Sequence, residues 1–132
     1  MIRRSALCCA VLCFCFTAIA FAQDAVKADP AHYKIESENA KVRILRVHYG
    51  PHEKSVMHSH PDSVAVFLTD GSVRFTLPGG KTQDSTVKAG QAQYTPAQVH
   101  DPENIGDTSL ELVLIEFKSH AAKAAVKPAA DK

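Results

Sequence analysis

Short segments with β-strand character, separated at close intervals by turn-forming residues, fill the middle of the sequence and constrain its fold most strongly. The pattern is clearest where Val73, Phe75 and Leu77 alternate with polar neighbours, as expected for a strand with one buried face. Asp70-Gly71 between two such segments predicts a tight hairpin. No segment carries a helical stripe, so the sequence predicts an all-β sandwich or small barrel. The predicted strands are residues 42–47, 63–69, 72–77, 82–88, 91–95 and 110–117.

The N-terminus has the order of features that is typical of a secretory signal peptide. Arg3 and Arg4 precede an apolar run over residues 5–20, and Ala20-Phe21-Ala22 offers a small-x-small cleavage site. The apolar run is shorter than the roughly 18–20 residues of a membrane-spanning helix. A leader cleaved near Ala22 is therefore favoured over a membrane anchor. We expect a periplasmic or secreted protein that keeps no stable membrane anchor.

The composition of the remaining chain excludes several classes of protein. All four cysteines lie within residues 8–15, so a chain cleaved near Ala22 has neither disulfides nor thiolate ligands. The sequence has 15 Lys and Arg against 14 Asp and Glu without a basic block, so no nucleic-acid partner is expected. A chain of this length makes one domain. The expected organisation is a signal peptide (1–22), a polar lead-in (23–34), one β-barrel domain (35–118) and a flexible Ala/Lys-rich tail (119–132).

Three histidines carry the chemical content of the sequence. His58-Ser59-His60 places two imidazoles on the same face of an extended strand, because side chains two residues apart point the same way. His100 comes from a different segment, at the end of a predicted strand that runs into a turn. Three neutral ligands on one side of a metal ion leave positions open for water or substrate. The sequence therefore predicts a divalent metal site formed by His58, His60 and His100.

The spacing around these histidines resembles the two signature motifs of the cupin superfamily. The resemblance implies a single-domain double-stranded β-helix, the jelly-roll barrel of that family, with metal bound inside the barrel by the histidines. It covers residues 50–104. The first motif is carried by Gly50, His58, His60 and Gly71, and the second by Gly90, Pro96, His100 and Asn104.

The sequence departs from this pattern at the family's glutamate ligand. Val64 stands at that position and cannot bind a metal ion, and Gln98 replaces a glycine of the second motif. An oxygen or nitrogen ligand is then expected from Asp62, which shares the strand parity of the paired histidines, from Gln98, from His52 or from water. A site of three histidines alone is also compatible with the family. The alternative is a vestigial site in which hydrogen-bonded imidazoles fill the barrel.

The resemblance implies a small-molecule ligand or substrate and leaves more than one function open. Imidazole ligands suit Fe, Mn, Ni, Zn or Cu, and such a metal supports oxygenase- or isomerase-like chemistry. Tyr94 and Gln98 are candidate catalytic residues, although a packed tyrosine is the alternative for Tyr94. A non-catalytic module that binds a small molecule or the metal is the second hypothesis. Residues 41–49, interpreted as an edge strand, predict a homodimer.

Overall fold

The computed structural model describes residues 22–118, which form two antiparallel β-sheets. The larger sheet has the strand order β1-β2-β9-β4-β7 and the smaller sheet has the order β3-β8-β5-β6, which confirms the predicted double-stranded β-helix. The predicted signal peptide and C-terminal tail fall mainly on residues 1–21 and 119–132, outside the described part. The elements are α1 (Ala25–Ala28), β1 (Tyr33–Glu38), β2 (Val42–Tyr49), β3 (His58–His60), β4 (Ser63–Phe67), β5 (Gly71–Thr76), β6 (Thr82–Val87), β7 (Ala92–Thr95), β8 (Gln98–Asn104) and β9 (Leu110–Phe117).

Strand β9 lies at the centre of the larger sheet, where it pairs with both β2 and β4. Leu110 and Leu114 point into the barrel and are buried, whereas Val113 and Ile115 on the alternate face are only half-buried. The apolar residues on both faces of this strand therefore mark a mostly buried inner face and a partly covered outer face. Between residues 22 and 118, no helix is long and apolar enough to span a bilayer.

The expectation that residues 41–49 form an open edge is wrong. Strand β2 is bonded to β1 on one side and to β9 on the other, so its backbone groups are already paired. Strand β1 holds one edge of this sheet, and β7 holds the other. Strand β1 was not predicted because Tyr33 is its only buried residue and the remaining five are exposed. The homodimer stays a prediction, with β1 as an exposed edge.

The expectation of a tight hairpin at Asp70-Gly71 is also wrong. Strand β4 belongs to the larger sheet and β5 to the smaller one, so the chain crosses between sheets at this point. The Asp70 carboxylate accepts hydrogen bonds from Lys88 Nζ (2.8 Å) and the Ala89 amide (2.9 Å). A Cβ at Gly71 would lie 2.6 Å from Leu110 Cδ1. Close packing against β9, rather than turn geometry, therefore requires glycine here.

The turn at Pro78-Gly79-Gly80 does join a true hairpin, between β5 and β6. Gly79 and Gly80 have φ angles of 89° and 87°, in the left-handed region that side chains disfavour. The Leu77 amide donates to the Lys81 carbonyl at 2.8 Å and closes the turn.

The predicted lead-in is folded against the barrel. Asp24 caps the single-turn helix α1 by accepting from the Val26 amide at 3.1 Å, and Ala25 is completely buried. The Ser59 amide donates to the Gln23 carbonyl at 2.8 Å. These contacts fix the N-terminal segment alongside strand β3, where Asp24 forms a parallel bridge with Ser59.

Candidate metal centre

Two adjacent strands of the smaller sheet bring the three predicted histidines together. His58 and His60 occupy alternate positions of β3 and share its inner face, and His100 on β8 pairs directly with His58. Their exposed fractions are 0%, 6% and 5%. One ligand atom from each residue can be chosen so that all lie within 4.8 Å of one another. The period-two alternation of the strand and the cross-strand register therefore create the cluster.

Hydrogen bonds at the outer ring nitrogens fix the tautomers of His58 and His60. His58 Nδ1 lies 2.7 Å from the Val56 carbonyl, and His60 Nδ1 lies 2.6 Å from Glu116 Oε1. Because a carbonyl and a carboxylate only accept, both Nδ1 atoms are assigned the proton. The two Nε2 atoms are then unprotonated and lie 3.0 Å apart, with their lone pairs facing each other. A cation bound to both nitrogens, or a proton shared by them, removes the repulsion between these lone pairs.

His100 completes the cluster and has no other polar partner. Both of its ring nitrogens are buried without a hydrogen bond among the described residues, and its ring stacks on Phe75 with centroids 5.1 Å apart. Buried polar groups are nearly always hydrogen-bonded. The ring centroids of His58 and His60 lie 5.1 and 5.3 Å from that of His100. The donor set, three imidazoles with unpaired nitrogens, is compatible with a divalent metal ion.

Burial keeps two of these rings neutral at neutral pH. Removal from water, reinforced by His60, lowers the pKa of His58 to about 4. Removal from water, reinforced by His60 and His58, lowers the pKa of His100 to about 3. Neutral imidazole is the form that binds metal ions, so both rings are available as ligands over the physiological pH range.

Behind His60 lies a buried chain of charges that the sequence analysis missed. Glu116 on β9 accepts from His60 with one oxygen, and its other oxygen lies 2.6 Å from Arg43 Nε. Arg43 in turn forms an ion pair with Asp24 in the N-terminal segment. The Glu116 side chain is only 2% exposed. A carboxylate that accepts from a ligating histidine orients the ring and raises its basicity.

Behind His58 lies a second polar contact with the N-terminal segment. Ser55 Oγ is 3.3 Å from His58 Nδ1 and also donates to the Asp29 carboxylate. Asp29 is bonded to His32 Nδ1 at 2.7 Å. Burial opposes ionisation of Asp29, but the bonds from Ser55 and His32 prevail and lower its pKa. Both histidines of β3 are thus held in place from residues 24–32.

A cavity of about 230 Å³ adjoins the cluster inside the barrel. His60 and His100 line it, whereas His58 lies behind them. Tyr33 packs edge-on against His58 at a centroid distance of 4.8 Å, and its hydroxyl accepts from Tyr49 at 2.8 Å. Burial raises the pKa of both phenols, so they remain protonated at neutral pH. The arrangement is a mainly apolar pocket with imidazoles at its buried end.

Comparison with known proteins identifies the family. A family model of the cupin domain matches residues 45–116, more than half of the chain. The chain belongs to the cupin family. No curated protein sequence matches it.

Solved structures agree with this assignment. A cupin domain from Bordetella pertussis Tohama I is 26% identical with a TM-score of 0.62, covering 66% of this chain and 92% of that chain. A protein with a double-stranded β-helix domain from Klebsiella pneumoniae is 20% identical with a TM-score of 0.53, covering 64% of this chain and 74% of that chain. A cupin superfamily protein from Desulfitobacterium hafniense DCB-2 is 13% identical with a TM-score of 0.51, covering 66% and 76%. The last two likenesses support the fold alone.

The two remaining predicted site residues of this cupin, Gln98 and Tyr94, lie in different environments. Gln98 is half-buried, pairs with His60 across the strands and lines the cavity. Tyr94 is 60% exposed and absent from the lining, so the structure does not bring it to the histidine cluster, and its catalytic role stays a prediction. The alternation of β7 turns its neighbours Gln93 and Thr95 inward instead.

The other proposed replacements for the glutamate ligand lie outside the cluster. Asp62 is exposed and accepts from the Ala97 amide at 2.8 Å, because strand β3 ends before it. His52 is exposed and contacts Asp107 at 2.9 Å. Strand β4 alternates so that Ala65, rather than Val64, lines the cavity. Among the described residues, the cluster therefore consists of the three histidines.

Proposed function

We propose that this cupin binds one divalent metal ion through Nε2 of His58 and His60 and a ring nitrogen of His100. We further propose that it binds a small organic molecule in the adjoining cavity. The observation that carries the proposal is the pair of facing Nε2 atoms, 3.0 Å apart, beside a third imidazole whose nitrogens have no partner. A shared ion accepts the free lone pair of all three rings at once, whereas a shared proton leaves that of His100 without a partner.

The chain's own residues support such a site in three ways. Glu116 and the Val56 carbonyl hold the protons of the two β3 imidazoles on the outer nitrogens. Phe75 packs against the ring of His100, and Tyr33 packs against the ring of His58. Gln98 presents an amide that both donates to and accepts from a ligand. When bound, a metal ion such as Fe, Mn, Ni, Zn or Cu supplies a Lewis acid or a centre for O₂ chemistry.

Oxygenase- or isomerase-like catalysis is the first candidate for what the site does, and a non-catalytic binding module is the second. One observation favours the second. Among the described residues, no Asp or Glu lines the cavity, so a carboxylate is not available there as a general base. In the first candidate, proton transfer falls to the protonated phenols of Tyr33 and Tyr49 or to the ligand itself.

Metal content is the first test of this proposal. After incubation with each metal and dialysis, elemental analysis should find one ion per chain in the wild type. A His58→Ala, His60→Ala, His100→Ala triple variant should retain none, and His52→Ala, which changes an exposed histidine, should behave as wild type. Failure of the wild type to retain any metal contradicts the proposal.

Turnover separates the two candidates. The Fe(II)-loaded protein is tested for O₂ uptake, and each metal form for product formation, over a panel of phenols, thiols and diketones. Metal-dependent product formation supports catalysis. Thermal stabilisation by a ligand without turnover supports the binding module.

We also propose that the protein is exported and forms a homodimer. Export is supported by the arginines, apolar run and Ala20-Phe21-Ala22 site of residues 3–22, and dimerisation by the exposed edge of β1. Protein recovered from the periplasm should begin at Gln23, and light scattering should give twice the mass of the mature chain. A full-length chain that stays in the cytoplasm contradicts export, and a monomer at all concentrations contradicts dimerisation.

A further inference from the structure

Among the described residues, those that line the cavity carry no charge that a ligand could pair with. Within residues 22–118, no Asp, Glu, Lys or Arg contributes to it. The apolar and aromatic part includes Phe67, Phe75, Leu112 and Leu114. Burial of a charged group without a partner is strongly unfavourable. A ligand group that is charged and does not reach the histidine cluster is therefore disfavoured in this cavity.

The arginines of the described chain are not free to enter the cavity. Each is held in an ion pair elsewhere, and the side chain of Arg43 is further fixed because only 16% of it is exposed. No guanidinium is thus available to bind a ligand carboxylate or phosphate, which is the usual role of arginine in such sites. The pairs are Arg43 with Asp24 and Glu116, Arg46 with Glu36 and Glu111, and Arg74 with Asp84.

The size of the cavity limits the ligand. Its volume of about 230 Å³ lies below the ≈ 300–1,000 Å³ that is common for pockets of drug-sized ligands. It exceeds the about 150 Å³ of an apolar cavity that accepts benzene. One ring with a few small substituents therefore fills it, and a nucleotide or an oligosaccharide does not fit.

The two ends of the cavity differ in their exposure to solvent. Gln83 and Gln93 line it and are exposed, whereas His60 and His100 line it and are buried. The glutamines therefore mark the mouth, and the imidazoles mark the inner end. Neutral amides at the mouth donate and accept hydrogen bonds without favouring either sign of charge.

We propose that the cavity selects a compact organic molecule, about one ring in size, whose only anionic group is the donor that it presents to the histidine cluster. The rest of the molecule is uncharged, with an apolar body and at most a neutral polar substituent at the mouth. Sugar phosphates, and acids that carry a second anionic group away from the metal-binding end, are disfavoured by this lining. The inference rests on the proposed metal binding and names the substrate class of that same site.

Two chelators with the same metal-binding head test this selectivity. 4-Methylcatechol and 3,4-dihydroxybenzoate share the catechol group and differ in a methyl against a carboxylate. Binding to the Zn-loaded full chain is measured by calorimetry, with the metal content of each sample determined in parallel. We expect 4-methylcatechol to bind at least about tenfold more tightly, because the described lining residues offer the carboxylate no positive charge to replace its hydration.

A charge placed at the mouth should change that preference. Gln93→Arg adds a guanidinium where the lining meets solvent and should reduce the selectivity by at least about fivefold, since arginine pairs with carboxylates. Ala92→Arg is the matched control. It adds the same charge one residue earlier on β7, on the exposed face that does not line the cavity. The control should keep the wild-type preference.

The outcomes separate the inference from the proposed function. Equal affinity for the two chelators, tighter binding of the carboxylate, or no binding of either to protein that retains its metal overturns the inference and leaves metal binding standing. A protein that retains no metal overturns the proposed function itself. A Gln93→Arg effect that Ala92→Arg reproduces shows that net charge, rather than the lining, sets the preference, and this also overturns the inference.

Discussion

Replacement of Glu116 by glutamine tests whether the buried carboxylate behind His60 supports the metal site. In the wild type, His60 Nδ1 lies 2.6 Å from Glu116 Oε1. Glutamine has nearly the same volume as glutamate and keeps an oxygen that can accept this hydrogen bond. The substitution removes a negative charge that lies beside the imidazole and partly balances the positive charge of a bound ion. The Arg43 guanidinium keeps Asp24 as a partner, so the ion pair behind the site is reduced but not abolished.

The expected effect is a loss of metal affinity of about 10- to 100-fold, the range for loss of a partner behind a ligating histidine. This corresponds to about 1.4 to 2.7 kcal/mol of binding free energy. The dissociation constant for Zn is measured at neutral pH by titration against a competing chelator. Circular dichroism and thermal unfolding of the metal-free protein confirm that the variant is folded.

Glu111→Gln is the matched control for this experiment. Glu111 lies on the same strand and also pairs with an arginine, Arg46, at 3.3 Å, but its side chain is 39% exposed and does not contact the histidines. The control should bind Zn as the wild type does. A Glu116→Gln protein whose affinity stays within about twofold of wild type refutes the reasoning, because a carboxylate that orients a ligand is expected to contribute more.

Other predictions concern stability. Burial raises the pKa of Tyr33 well above its ordinary value, so its neutral form contributes stability below about pH 10 that is lost as the pH rises further. Urea unfolding at stepped alkaline pH should show this loss, and Tyr33→Phe should reduce its slope. Gly79 has a φ angle of 89°, so Gly79→Ala should lower the free energy of unfolding by about 1 kcal/mol without changing the metal content. Leu45 is completely buried, so Leu45→Ala should lower the free energy of unfolding by about 2–5 kcal/mol in the same assay.

The parts of the fold that depend on strand periodicity could be predicted from the sequence. His58 and His60 had to share a face once residues 58–60 were extended, because the side chains of a strand alternate with a period of two. The adjacent glycines Gly79 and Gly80 mark the β5–β6 turn in the sequence itself. Strand β8 was missed because Pro102 interrupts its pattern. In the structure, β8 changes partner from β3 to β5 near Pro102, and Pro102 is still paired with Phe75.

The parts that depend on contacts between distant residues could not be predicted from local pattern. The chain from Asp24 through Arg43 to Glu116 joins residues 19 and 73 positions apart, and no local signal reports such a pairing. One signal was nevertheless present. Glu116 shares the parity of Leu110 and Leu114, whereas Glu111 lies on the opposite face of the strand. An acidic residue on an inward face is a functional candidate because it requires a buried partner.

The central claim, that the three histidines bind one metal ion together, is tested most directly by X-ray absorption spectroscopy of the Zn-loaded protein. If the three histidines bind one ion, the Zn should have three imidazole nitrogens at about 2.0–2.1 Å in the wild type and two in His100→Ala. A spectrum with fewer than three imidazoles in the wild type, or one that His100→Ala leaves unchanged, contradicts this claim.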